Sequence, residues 1–216
     1  KVIIKKMYPM VFKVLVKIEP NYQFNLKENA VPVIHAPRKI PASLRDKVKK
    51  ELENMEAAGV IRPIDEPTEW VNSMVVLEKP NGSLRICLDP RDLNRAIKRE
   101  HYQLPTFEEI ASRLSGAQVF TKLDANKGYW QIPLGEDSIS LTTFNTPFGR
   151  YQFTRLPYGI HSAQEVFHKR ISQSFEGINQ VETDIDDILI WGLEGDNHDV
   201  SMIKCLEKAQ KIEMTM

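Results

Sequence analysis

The chain of 216 residues carries 29 basic and 29 acidic side chains, and 42% of it is hydrophobic. That is enough for one large domain or two small subdomains with a buried core, and it excludes a collagen, a coiled coil, a disulfide miniprotein and a disordered segment. Cys87 and Cys205 are the only cysteines, too few for a disulfide framework or a cysteine-rich zinc site, so a reducing compartment is the simpler expectation.

No apolar run approaches the roughly 18 residues that a membrane-spanning helix needs. The opening Lys1-Val-Ile-Ile-Lys-Lys6 lacks an initiator methionine and a signal-peptide core, and reads as the start of a soluble piece of a longer reading frame. The zero net charge hides an asymmetry. Residues 1–50 hold 12 Lys or Arg against 3 Asp or Glu, leaving 17 against 26 in the remainder. A basic front and an acidic rear suit a protein that grips phosphates with one part and metal ions with another. A solvated basic helix beside a solvated acidic loop explains the same counts.

Loose alternation of Val11, Phe12, Val14, Val16 and Ile18, then Tyr22, Phe24 and Leu26, predicts one or two strands or an extended arm over residues 1–30. Pro32, Pro37 and Pro41 forbid a helix between Val31 and Pro41. Ser43 is placed to cap a helix whose Leu44, Val48, Leu52 and Met55 share one face, with Gly59 as its stop. The β-prone runs Val71 to Leu77 and Leu84 to Leu88 flank Asn81-Gly82, the strongest short hairpin signal in the chain, and predict a two-stranded ribbon. Thr106-Phe-Glu-Glu109 is a capping box that opens a short helix ending near Gly116, and a strand follows from Val119 to Asp124. A second hairpin is predicted from Leu141 to Thr146 and from Arg150 to Phe153, about Pro147-Phe-Gly149. Ser162 to Phe175 reads as a helix, and the residues from Asn197 onward as another, cut short at Met216. Between them, Val181 to Trp191 holds two short β-prone runs that meet at Asp186-Asp187. Helices and strands interleave without a βαβ rhythm or a Gly-rich phosphate loop, which predicts an α+β fold.

Asp186 and Asp187 lie among Ile185, Ile188, Leu189 and Ile190, and from Glu176 to Asp199 there are eight carboxylates and no Lys or Arg. Desolvated carboxylates without a partner are expensive, so a bound cation is expected there. Asp124 ends a predicted strand and adds a third acid. Three carboxylates at two strand ends are the minimum set for a pair of Mg2+ or Mn2+ ions, which favour oxygen ligands, held about 3.5–4 Å apart. Taken alone, an Asp-Asp pair is more often a turn making local hydrogen bonds than a catalytic pair.

Four segments occur in a definite order: KPNGSLRICLDPRDLN at 79–94, FTKLDANKGYWQIPL at 120–134, LPYGIHSAQ at 156–164 and ETDIDDILIWG at 182–192. Together they resemble the reverse transcriptase of gypsy-type LTR retrotransposons, relatives of retroviral polymerases, from about Val31 to the C-terminus. The resemblance implies a right-hand polymerase fold. Residues 1–36 would be an N-terminal arm, 37–98 and 132–162 β-rich fingers, and 99–131 and 163–216 an incomplete, ferredoxin-like palm. It implies RNA-directed DNA polymerase activity, a nucleotidyl transfer that adds dNTPs to a primer paired with an RNA or DNA template.

Asp124, Asp186 and Asp187 match the family's catalytic triad, which binds two Mg2+ ions, with Mn2+ as a substitute, and positions the primer 3′-hydroxyl. Tyr129 matches the aromatic that packs under the sugar and excludes a 2′-hydroxyl; without the family it reads equally as a core tyrosine beside Trp130. Lys79 and Arg85 match fingers cations that hold the triphosphate, a task suited to a point charge and a bidentate fork. Unaided, both are surface charges on a hairpin. Tyr158 and Gly159 fall where the family has a nucleotide-contacting residue and a glycine that lets the backbone approach the nucleotide. Asp89, Arg91 and Asn94 match a segment that reads as structural. The five histidines, among them His161 and His168, lack metal-ligand spacing and read as core or surface residues.

The chain departs from the family where Asp184 replaces a Tyr or Phe two residues before the Asp pair, where Gln164 replaces a common proline, and where Val14-Leu-Val16 replaces a glycine-containing stretch. It also stops before the thumb, ribonuclease H and integrase segments of the full polyprotein. The expected partners are a template-primer, dNTPs and those downstream segments, with no membrane; an intracellular place, cytoplasmic particle or nucleus, is left open. A second reading is a truncated or domesticated remnant that binds nucleic acid without catalysis. A third, a carboxylate-metal nuclease, fits the acids but not Tyr129 or the fingers motifs.

Overall fold

The structure is a computed structural model that describes residues 2–12, 15–193 and 198–216. In chain order it contains helices α1 (Val2–Met7) and α2 (Arg45–Ala57), strands β1 (Ile61–Pro63), β2 (Ser73–Glu78) and β3 (Leu84–Asp89), then helices α3 (Arg91–Ala96) and α4 (Phe107–Arg113). Strand β4 (Val119–Asp124), helix α5 (Glu136–Leu141), strands β5 (Phe144–Thr146) and β6 (Gly149–Phe153) and helix α6 (Ala163–Phe175) follow. Strands β7 (Val181–Asp184) and β8 (Asp187–Gly192) and helix α7 (His198–Lys211) complete it. The mixture is α+β, and among the described residues no helix is long and apolar enough to cross a membrane.

The chain divides into two compact units. Pro20–Arg99 and Ile132–Ala163 form a ribbon unit; residues up to Glu19, Glu100–Gln131 and Gln164–Met216 form an aspartate unit.

In the ribbon unit, α2 buries Val48, Leu52 and Met55, whose spacing puts them on one helical face. The helix ends in a Schellman motif: Gly59 adopts φ +63°, its N–H bonds to Glu56 O at 2.9 Å, and Val60 N–H bonds to Met55 O at 2.9 Å. The start differs from expectation. Leu44, not Ser43, is the N-cap and no side chain caps the helix, because a 3-10 turn at Ala42–Leu44 leads the chain in. Strand β3 alternates buried Leu84, Ile86 and Leu88 with more exposed residues and pairs antiparallel with β2 across the loop that contains Asn81-Gly82. Gly82 takes φ +76° there. A second sheet has the order β1-β6-β5, with Phe144 and Phe153 fully buried and their ring centroids 5.0 Å apart. Each such buried side chain contributes roughly 1.5–3 kcal/mol. The predicted strand from Leu141 begins only at Phe144: Glu136 and Asp137 favour a helix start, and α5 runs to Leu141.

In the aspartate unit, the sheet order is β4-β8-β7, all antiparallel, with Ile188 and Ile190 of the central strand buried. Helix α7 packs on β8 and β4 and buries Cys205, Leu206 and Ala209. Burial pushes the Cys205 thiol up to about 12. The helix stops at Lys211, short of the C-terminus, and Asn197 lies outside the described residues. The capping box forms as expected: Thr106 Oγ1 accepts from Glu109 N, and Glu109 Oε2 accepts from Thr106 N. Of the strands or extended arm expected over residues 1–30, the first part is instead α1 followed by a 3-10 turn at Pro9–Phe12 that buries Val11, whereas Tyr22 and Leu26 are extended and bridge to Leu134 and Ile97. Pro9 accounts for the end of α1 at Met7, since a helix ends at or before the residue preceding proline. Val14 lies outside the described residues.

Candidate active site

The ladders of the aspartate unit set three carboxylates in a row. Asp124 at the end of β4 is the Cα partner of Asp187 at the start of β8, and Asp187 is also the partner of Asp184 at the end of β7. Directly opposed residues of antiparallel strands project to the same face, so these acids share a face that alternates with the one bearing Ile188 and Ile190. Asp184, the departure from the family pattern, therefore enlarges the acidic row.

β7 and β8 are joined through Ile185 and Asp186, and Ile185 adopts φ +53°. A β-branched residue rarely takes this conformation, and a non-glycine residue held there is strained. Hydrogen bonds tie the tip to β4 and α6. Asp186 O accepts from Ala125 N at 2.7 Å, and Ile185 N donates to His168 Nδ1 on α6 at 3.2 Å. His168 is 2% exposed; burial lowers its pKa, against the attraction of Asp184 and Glu182.

The acidic stretch draws its cations from other elements. Lys122 Nζ of β4 lies 2.6 Å from Asp187 Oδ2, and Arg113 of α4 pairs with Glu182. The hydrogen bond to Asp187, then that residue's charge, raises the Lys122 pKa, with smaller contributions from Asp124 and Asp184. These pairs bring to Asp187 and Glu182 cations that the run of sequence around Asp186 does not reveal, and they leave the aspartates open to the expected bound cation as a further partner.

Gly128 and Tyr129 open a 3-10 turn at Gly128–Gln131 just after Asp124. A Cβ on Gly128 would lie 2.7 Å from Phe167 Cζ and 2.9 Å from Asp186 Oδ1, so glycine alone leaves room for both. The Tyr129 and Phe167 ring centroids are 5.8 Å apart. Gln131, fully buried, donates to Asn126 O and Thr215 O and accepts from Thr215 N, fixing this turn to the C-terminal segment. Gly128, Gln131, Lys122 and His168 were missed as contributors to this region; only the glycine, next to Tyr129, left a local signal.

The other four predicted residues belong to the ribbon unit. Lys79 sits in the β2–β3 loop, which its N–H closes by bonding to Ser83 O at 2.8 Å. The Arg85 guanidinium lies over the Tyr158 ring, 4.8 Å from its centroid. Tyr158 O accepts from Leu88 N at 2.9 Å. Gly159 has φ +112°, and a Cβ there would stand 2.0 Å from Leu88 O, so the backbone contact that demands glycine is with β3. Asn94 pins this loop, donating to Gly159 O at 2.9 Å and accepting from His161 N at 3.0 Å. Asp89 takes Arg38 and Arg91 as ion partners.

As the side chains stand, no group of three or more His, Cys, Asp or Glu among the described residues is close enough to hold a metal ion. The donor set nevertheless fits one. Asp124, Asp186 and Asp187 offer only hard oxygens, the ladder sets Asp124 against Asp187, and the buried Asp187 Oδ1 meets no hydrogen-bond partner among the described residues.

Known proteins place this arrangement. Residues 77–216 match the family described as reverse transcriptase (RNA-dependent DNA polymerase). The chain is 32% identical over 165 residues to the retrovirus-related Pol polyprotein from transposon opus of Drosophila melanogaster, covering 73% of this chain and 16% of that protein. It spans about a sixth to a quarter of the length of the curated relatives it matches. The fold is that of the protease-reverse transcriptase of prototype foamy virus, with a TM-score of 0.87 at 19% identity over 99% of this chain and 29% of the viral one. A foamy viral protease-reverse transcriptase solved with an RNA/DNA hybrid aligns at a TM-score of 0.77 and 19% identity, over 96% and 28% of the two chains. With a family match over residues 77–216, most of its length, the chain belongs to the reverse transcriptase family.

Proposed function

We propose that this chain is the fingers and part of the palm of an RNA-directed DNA polymerase from a gypsy-type LTR retrotransposon, which adds dNTPs to a primer paired with RNA or DNA. The family match supports the activity, and the likeness to transposon opus supports the type of element. The compact unit that holds β4, β7 and β8 supports a palm over 99–131 and 163–216, and the unit that holds the β2–β3 ribbon supports fingers over 37–98 and 132–162. The observation that carries the reading is the register that sets Asp124 against Asp187, with Asp186 beside it in the turn.

Asp124, Asp186 and Asp187 would hold two divalent ions, Mg2+ or Mn2+. Bound there, such ions supply Lewis acidity to the attacking 3′-hydroxyl and positive charge to the leaving pyrophosphate. Tyr129 packs beneath the incoming sugar, while Lys79 and Arg85 hold the triphosphate. The Tyr158 ring beneath the Arg85 guanidinium restrains a planar fork of N–H donors suited to phosphate oxygens. Tyr158 and Gly159 line the nucleotide on the same side. The RNA/DNA hybrid of the foamy viral neighbour supports a paired template-primer as the ligand.

The test is primer extension on poly-rA/oligo-dT with Mg2+ or Mn2+ at low salt, where weak phosphate binding is least penalised. Extension by the unaltered chain and its loss in Asp186→Asn support the reading. Extension that survives the substitution, or degradation of nucleic acid without dNTP, overturns it.

A further inference from the structure

The aspartate tip is held in a conformation that its own sequence resists. Ile185 at φ +53° costs roughly 1–2 kcal/mol relative to the right-handed region, so neighbouring contacts must determine the turn. One contact is the Ala125 N–H bond to Asp186 O, which ties the tip to the end of β4. Another is the Ile185 N–H bond to His168 Nδ1, which ties it to α6.

We propose that His168 is a positioning residue for the aspartate turn: by accepting the Ile185 amide proton it holds Asp186 and Asp187 where they can act together with Asp124. An imidazole nitrogen that accepts a hydrogen bond is unprotonated, so the bond specifies the neutral ring with its proton on Nε2. The ring is buried and tilted against Tyr102, with centroids 5.8 Å apart. The preceding residue on α6, Phe167, meets Gly128 and the Tyr129 ring. Adjacent side chains of one helix thus abut the aspartate turn and the tyrosine turn. The role in metal binding rests on the triad reading above; the anchoring of the turn does not.

A buried histidine that merely fills space is the competing account, and two variants separate the two. His168→Leu keeps apolar bulk and removes the acceptor; His168→Asn places an amide oxygen close to where Nδ1 stood. In the full chain, amide hydrogen exchange at Ile185 and Mn2+ binding, followed by electron paramagnetic resonance, report the two halves of the proposal. His168→Leu is expected to speed Ile185 exchange about tenfold and to weaken Mn2+ binding about tenfold, in the range seen when residues that orient metal ligands are removed. His168→Asn is expected to restore most of both. Unchanged exchange in His168→Leu overturns the anchor, and faster exchange with unchanged Mn2+ affinity overturns the positioning role. Equal losses in both variants also overturn it, since they would follow from packing alone. A 15N spectrum of the unaltered chain checks the tautomer without any substitution: a proton on Nδ1 overturns the proposal. Failure of the unaltered chain to bind Mn2+ would instead overturn the triad reading, with Ile185 exchange still deciding whether His168 anchors the turn.

Discussion

Lys122 reaches across the strand pair to Asp187, its Nζ 2.6 Å from Oδ2, and so brings a cation to an acidic run that contains none. A divalent ion at the aspartates and this ammonium draw on the same carboxylate. Lys122→Met is expected to tighten Mn2+ binding about two- to fivefold, the scale of an exposed ion pair. Calorimetric titration of both chains checks this. Weaker binding in the variant would mean that the lysine supports the ion.

Gly128→Ala places a methyl group into the space taken by Phe167 and the Asp186 carboxylate. The expected loss is about 1–3 kcal/mol, as for overpacking generally, or about 2–4 °C of melting temperature per kcal/mol in a chain of this size. Differential scanning calorimetry measures it. Primer extension should fall further than stability alone explains, because Asp186 is one of the two groups displaced.

Asn94→Ala removes a donor to Gly159 O and an acceptor for His161 N together. At about 1 kcal/mol for each bond, urea unfolding should show a loss of roughly 2 kcal/mol. Asn94→Asp keeps the acceptor and should recover about half. If Tyr158 and Gly159 line the nucleotide, the dNTP KM rises in Asn94→Ala more than kcat falls.

Acid should destabilise the chain partly through His168. Burial depresses its folded pKa below the ordinary 6.5, so between those two values the unfolded chain binds more protons than the folded one. Stability is therefore unaffected by this group above about pH 6.5 and declines as pH falls through that value. Glu182 and Asp184 of β7 attract the proton and narrow the window, while Tyr102 contributes burial. Urea midpoints taken at pH 8 and 5.5 should differ more for the unaltered chain than for His168→Asn.

Features written in neighbouring residues were legible from the sequence. Asn81-Gly82 announces the β2–β3 ribbon, Thr106 with Glu109 announces α4, and the Asp186-Asp187 step announces the tip between β7 and β8. What escaped depends on partners distant along the chain. Nothing near Asp187 identifies Lys122 as its counter-ion, and nothing near Ile185 points to His168, 17 residues earlier. The pairing of Asp124 with Asp187 follows from strand register, which one sequence leaves open. Gly159 shows the same difficulty, because its contact with Leu88 O exists only once the loop has folded onto β3. At the N-terminus, extending the apolar alternation that starts at Val11 back to residue 1 assigned extended chain where α1 and a 3-10 turn form.

Ile185 carries a practical consequence for anyone improving this polymerase-family domain. Glycine or asparagine tolerates its φ of +53° better than isoleucine does, so random mutagenesis scored by heat resistance should enrich substitutions at this position. Libraries scored by product formation should discard the same clones where the replacement lets the aspartate backbone wander. Running both selections on one library would expose that conflict at a single codon.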